Sequence, residues 1–264
     1  MNAEVALNFH VIQFVAILAR VGGFFIGTPG LGSSMIPRRI KGVMALALTV
    51  VLLPTIPSDW VVAPPDGTIT LPFVVMLIAG EMLTGILVGF VLRAVLEMFA
   101  AGGEFTALSM GLMRARVVNP GTQTQSTIVA VMYMQMMLVL FIVLGGVYTV
   151  VELARESFQV LPPGSWVLHE QMKQYLIEHV GNIFYVGVRI ALPVIFMIML
   201  VNISLGLCTR FGQEFNVLML SFPIRFGLGF VMMGLCIPIL VKIGDQQLTE
   251  AFSMIERYIL GAGG

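Results

Sequence analysis

Apolar residues run along this chain in long blocks, separated by short stretches that hold most of its charge, glycine and proline. A helix needs ~20 residues to cross a bilayer, and about six blocks approach that length. Residues 5–26 form the first, interrupted by His10, Gln13 and Arg20. A Gly- and Pro-rich turn carrying Arg38, Arg39 and Lys41 leads into the second, 42–57, which is short for a span and closes on Pro54 and Pro57. The third, 71–101, is long enough to tilt or to continue beyond a membrane, and the fourth, 128–151, has no charge. After a mixed, partly amphipathic stretch at 152–182 come the fifth, 183–208, with Arg189 and Pro193, and the sixth, 217–243, with Pro223, Arg225 and Pro238. An amphipathic and then glycine-rich tail follows.

The third and fourth blocks are parted by a polar run from Arg114 to Thr127. Asn119-Pro120-Gly121 ends helices, because proline drives the residue before it out of the α region and glycine admits positive φ. Small residues crowd the approach (Ala100, Ala101, Gly102, Gly103, Ala107, Ser109, Gly111), so backbones can meet closely there. At membrane depth such a break is tolerated only when buried in protein or lining a water-filled cavity; outside the bilayer it is a loop.

Composition fixes the class. Of 264 residues, 58% are hydrophobic and 11% charged, with mean hydropathy +0.98. Soluble domains carry about a quarter charged residues, so this chain cannot cover itself against water. It is an integral membrane protein or part of a large apolar assembly, and the fold class expected is all-α, a multi-helix integral membrane protein. A formal net charge of zero gives no argument for nucleic acid. The two cysteines, Cys208 and Cys236, lie in apolar blocks without metal spacing and read as small buried hydrophobes. No basic n-region of a cleavable signal peptide precedes the first block. The Arg38-Arg39-Lys41 cluster, set against the basic-free link 58–71, puts the first loop in the cytoplasm. Later loops fit simple alternation less well, a sign that six plain spans are too simple.

Arg20, Glu81, Arg93, Glu97, Arg189 and Arg225 lie inside apolar blocks, where each is costly unless it faces protein or water. Of these, Arg20, Glu81, Arg93, Glu97 and Arg225 are candidates for intrahelical or intersubunit ion pairs. Arg93 and Glu97 stand one turn apart, and a structural pair is the plainer reading than a proton relay, since no further acid or His continues the series. The histidines are scattered, so no metal site is expected. Neither HExxH, a phosphate-binding loop nor GxSxG occurs, which argues against an enzyme and against an ATP-driven pump. No cofactor is implied. Methionine is abundant at 19 residues, with Met132, Met134, Met136 and Met137 clustered. Gap-filling core is the ordinary reading, and a compliant seal around something of variable shape is the sharper one.

In its ordered motifs the chain resembles the FliR-type proteins of the type III export gate, called SctT in virulence systems. Pro37-Arg38-Arg39-Ile40 with Ala45-Leu46-Ala47-Leu48 and Pro54 resembles the family's early segment. Gly80-Glu81, Gly85, Gly89, Gly102-Gly103 and Met110-Gly111 resemble its central helices. Asn119-Pro120-Gly121-Thr122-Gln123-Thr124-Gln125-Ser126 is similar to its Asp/Asn-Pro loop. Ala191-Leu192-Pro193, Asn202, Leu205-Gly206-Leu207, Arg210, Asn216-Val217 and Phe222-Pro223 complete the pattern. Departures are Gln213-Glu214 where the family often has Pro-Gln, and the extra basicity of Arg114 and Arg116.

This resemblance implies a FliP-like part at 1–154, a linker at 155–182 and a FliQ-like helix pair with the tail at 183–264, set in a helical, cone-shaped assembly. It further implies a structural and gating subunit of the flagellar export gate, in the bacterial inner membrane at the flagellar basal body. Expected partners are FliP-type and FliQ-type subunits, FlhB-type and FlhA-type export proteins, membrane lipid and unfolded secreted substrates. The loop at 111–127 (Gly111, Arg114, Arg116, Asn119, Pro120, Gly121, Thr122, Gln123, Thr124, Gln125, Ser126) corresponds to the family's pore plug, with Gly111 and Gly121 as hinges. A secondary transporter of a small solute is the alternative, and the unequal four-plus-two division of blocks argues against its inverted halves.

Overall fold

The computed structural model describes residues 3–30, 36–56, 70–113, 116–118, 125–162, 164, 170–211 and 217–262. Among the described residues seven α-helices follow in order: α1 (Ala3–Gly27), α2 (Arg38–Leu52), α3 (Leu71–Met110), α4 (Ile128–Val143), α5 (Gly146–Val160), α6 (Glu170–Phe211) and α7 (Val217–Ala262). Two three-residue strands, β1 (Arg116–Val118) and β2 (Gln125–Thr127), stand between α3 and α4. Among the described residues, α3, Leu176–Cys208 of α6 and Ser221–Arg257 of α7 are long and apolar enough to cross a membrane, and α4 with α5 adds a fourth span if the bent pair is counted as one. The molecule is an all-α integral membrane protein.

Three elements depart from their apolar blocks. The block 128–151 is two helices, broken at Leu144-Gly145, where Gly145 takes φ 75°. Left-handed backbone is nearly free of steric cost for glycine alone, so the second helix starts afresh there. Helix α3 continues nine residues past Ala101, through Glu104, Thr106 and Ser109. The hydroxyls of Thr106 and Ser109 donate back to the carbonyls of Gly102 (2.8 Å) and Thr106 (2.7 Å), so they need no water. Helix α7 likewise outruns its apolar block: Ile243, Leu248, Ala251 and Ile255 are buried while Lys242, Asp245, Thr249 and Glu256 are exposed. That periodicity is an amphipathic helix, which a test for unbroken apolarity ends too early.

The chain divides into two compact units, Met1–Arg93 with Gly145–Ile177 and Thr249–Gly264, and Ala94–Leu144 with Glu178–Leu248. In the first, α1 meets α3 through glycines. A methyl group at Gly89 would lie 2.5 Å from Gly27 Cα, and one at Gly23 would lie 2.9 Å from the Ile86 amide nitrogen. The backbones therefore touch, as small-xxx-small helix pairs do in membranes. Ile17, Val21, Phe24, Leu153 and Phe158 fill the core around them. In the second unit Phe99, Met137, Phe141, Ile190 and Ile198 are buried, and Met137 and Phe99 pack over Gly244.

Candidate functional site

The polar run between α3 and α4 is built as a hairpin on fixed feet. Helix α3 ends at Gly111, whose φ is 79°. The Gly111 N–H donates to Leu108 O (3.1 Å) and the Leu112 N–H to Ala107 O (2.8 Å). This paired closure satisfies the last carbonyls of α3, and burial of Leu112 beside the helix end seals it. Beyond the bend β1 and β2 pair antiparallel, Arg116 opposite Thr127, Val117 opposite Ser126 and Val118 opposite Gln125. All three β1 residues are exposed, and the Arg116 Nε–H reaches Met113 O at 3.3 Å.

On the return side Thr127 is at once the last residue of β2 and the N-cap of α4. Its hydroxyl accepts the Ala130 N–H at 3.2 Å, and its own N–H donates to Glu104 Oε1 at 3.0 Å. That bond is reachable because Gly103 lets α3 and α4 close up. A methyl group there would lie 2.8 Å from the Ala130 nitrogen and 2.9 Å from Val129 O.

Among the expected plug residues, Gly111, Arg116, Gln125 and Ser126 belong to this hairpin or its foot. Arg114, Asn119, Pro120, Gly121, Thr122, Gln123 and Thr124 lie outside the described residues. Sequence reasoning gave Glu104 no part in the loop; the signal for one is a carboxylate on a helix within reach of a polar break. The four methionines do not share one environment: Met137 is buried in the core, Met132 is exposed, and Met134 and Met136 are half-buried.

A second polar centre lies in the other unit. Arg20 and Glu81 are each 1% exposed, and Arg20 Nε donates to Glu81 Oε2 at 2.6 Å. This pair joins α1 to α3 in one chain and is neither intrahelical nor intersubunit, because residues 61 apart in sequence share no readable spacing. The same guanidinium, through one terminal nitrogen, donates to the carbonyls of Ser157 (2.9 Å) and Leu161 (3.0 Å) and lies 4.4 Å over the Phe158 ring. Ser157 O and Leu161 O belong to the closing turn of α5, the negative end of that helix, where a cation is favoured. Glu81 Oε1 accepts the Gly164 N–H at 2.8 Å, and Gly164 has φ 89°. Of the other ion-pair candidates, Arg93 is exposed, Glu97 half-buried on the next turn of α3, and Arg225 Nε is buried without a hydrogen-bond partner among the described residues.

Long apolar helices, a polar hairpin held at its feet and a buried ion pair define a membrane protein whose only extended polar break among the described residues is a seated loop. The sequence matches the family described as bacterial export proteins, family 1, over residues 11–251, and the chain belongs to that family. It is 25% identical over 249 residues to the flagellar biosynthetic protein FliR of Escherichia coli, covering 94% of this chain and 92% of that protein. Against the flagellar biosynthetic protein FliR of Aquifex aeolicus it is 27% identical over 256 residues, 97% of each chain. The secretion system apparatus protein SsaT of Salmonella typhimurium aligns over 150 residues at 25% identity, 56% of this chain and 58% of that one.

Proposed function

We propose that this chain is a subunit of the flagellar type III export gate in the bacterial inner membrane, and that the 111–127 hairpin obstructs its closed pore. The observation that carries the first part is end-to-end likeness: the FliR proteins of Escherichia coli and Aquifex aeolicus align over more than nine-tenths of both chains, whereas the virulence-system protein aligns over little more than half. That contrast favours flagellar over virulence export, and membership of a family of export proteins favours export over small-solute transport. In this reading residues 1–154 act as the FliP-like part and 183–264 as the FliQ-like pair, assembled with FliP-type and FliQ-type subunits and met by FlhB-type and FlhA-type proteins. Unfolded substrates are what the pore would pass.

The hairpin suits a closing element. Its strands are three residues long and every β1 residue is exposed, so moving β1 breaks no apolar core. A gate needs two states within a few kcal/mol of one another, which a short polar ribbon can supply. The exposed and half-buried methionines Met132, Met134 and Met136 would lie against what passes, with Met137 as core behind them. The buried Arg225 Nε supports an ion pair or hydrogen bond made with a partner subunit.

The test is co-expression with FliP-type and FliQ-type subunits, native mass spectrometry of the extract, and ion flux through the reconstituted complex. A single heteromeric complex containing this chain, made leaky by deletion of residues 113–125, is the expected result. A lone chain or homodimer despite those partners would sink the gate reading; an intact complex whose leak is unchanged by the deletion would sink the plug.

A further inference from the structure

We propose that Glu104 is the positioning residue that seats this hairpin, holding the return strand and the start of α4 as one unit. The functional consequence rests on the reading that the hairpin closes the pore.

Three observations converge on this carboxylate. It accepts the N–H of Thr127, the residue shared by β2 and the N-cap of α4. Thr127 is fully buried, so a lost partner there is not readily replaced by water. The first amides of α4 also point toward this end, and a carboxylate is favoured at a helix N-terminus. The outgoing foot, by contrast, is closed at Gly111 and Leu112 by backbone bonds to the last turn of α3. Among the described residues, one side chain from outside the hairpin therefore ties it to α3, and it does so on the return side.

The arrangement makes a specific demand. Because the carboxylate grips a backbone N–H, the residue type at 127 matters for the helix cap and not for the seat. Glu104 and the Thr127 side chain can thus be separated by mutation. Gly103 sets the reach: only with α3 and α4 in backbone contact can a side chain on α3 meet the first turn of α4.

The experiment uses the assembled complex with five forms of this subunit: wild type, E104A, E104Q, E104L and the 113–125 deletion. Native mass spectrometry first establishes that each assembles. Hydrogen exchange is then read at the amides of residues 125–130 and at α6 as an internal control, and ion flux is measured in vesicles. Removing a charge-assisted bond to a buried amide should speed exchange at 125–130 roughly tenfold in E104A, with α6 unchanged. Glutamine keeps an acceptor oxygen, so E104Q should recover most of the protection, whereas E104L, which fills the space without an acceptor, should exchange as fast as E104A. Leak in E104A should lie between wild type and the deletion. Unchanged exchange at 125–130 in E104A overturns the seat, even where the deletion leaks. A deletion that does not leak removes the plug reading, and the exchange result then decides the seat alone. If E104A does not assemble, E104Q carries the test: wild-type-like assembly with protection lost by more than tenfold also overturns a seat that needs only an acceptor.

Discussion

The two polar centres of this molecule solve the same problem in opposite ways. Around Arg20 the guanidinium and its partners are buried: Glu81, Ser157 O and Leu161 O receive it, and Glu81 in turn accepts the Gly164 N–H, so the network ties α1 and α3 to the end of α5 and the turn after it. At the hairpin one half-buried carboxylate meets one backbone N–H, and the paired strand β1 is exposed. The first centre is expensive to open because any parting leaves a charge in an apolar interior. The second parts at smaller cost, because it rests on a single bond and the half-buried carboxylate it frees can be hydrated, which leaves only the Thr127 N–H without a partner. A chain that must stay assembled and yet move needs both, and they lie in different packing units.

The sharpest way to break that contrast is to remove the guanidinium. Arg20→Ala leaves Glu81 buried without its partner and should destabilise the subunit by about 3–5 kcal/mol. Loss of the subunit from the membrane fraction is the expected readout; a complex that melts at the wild-type temperature would mean the pair is dispensable. Next in size is Gly89→Val, which forces side-chain carbons between touching backbones and should cost about 3 kcal/mol. It is measured as a lower melting temperature of the purified complex, with hairpin exchange unaltered. The smallest effect belongs to Thr127→Ala. The backbone bond to Glu104 survives and only the cap on Ala130 is lost, about 1 kcal/mol, with leak close to wild type. Should Thr127→Ala leak as freely as the hairpin deletion, the side chain and not the carboxylate would be the seat.

Much of the fold was legible because apolarity is written continuously along the chain. The spans within α3, α6 and α7 follow from it directly. Where apolarity and helicity part company, reading failed: α7 carries on through Lys242, Asp245 and Glu250 because its buried stripe persists. The Leu144-Gly145 break was present as a glycine pair, but nothing in composition separates a glycine that packs in a helix from one that adopts positive φ. The polar run was legible as a break and its small-residue approach as a close contact, which Gly103 against Ala130 provides. Partnerships were not. Arg20 with Glu81, and Glu104 with Thr127, depend on which helices become neighbours, and that is fixed only by packing.

The glycine contact between α1 and α3 has a mechanical consequence. Where helices meet through side chains, one can slide past the other as rotamers change, and the interface is soft. Gly23, Gly27, Gly85 and Gly89 leave no side chain between the two backbones. Their attraction comes from main-chain atoms and Cα–H···O contacts, which fall away within a fraction of an ångström. Such a joint has almost no elastic range: it transmits a push from one helix to the other undiminished or it comes apart. The helix pair therefore behaves as a single rigid strut.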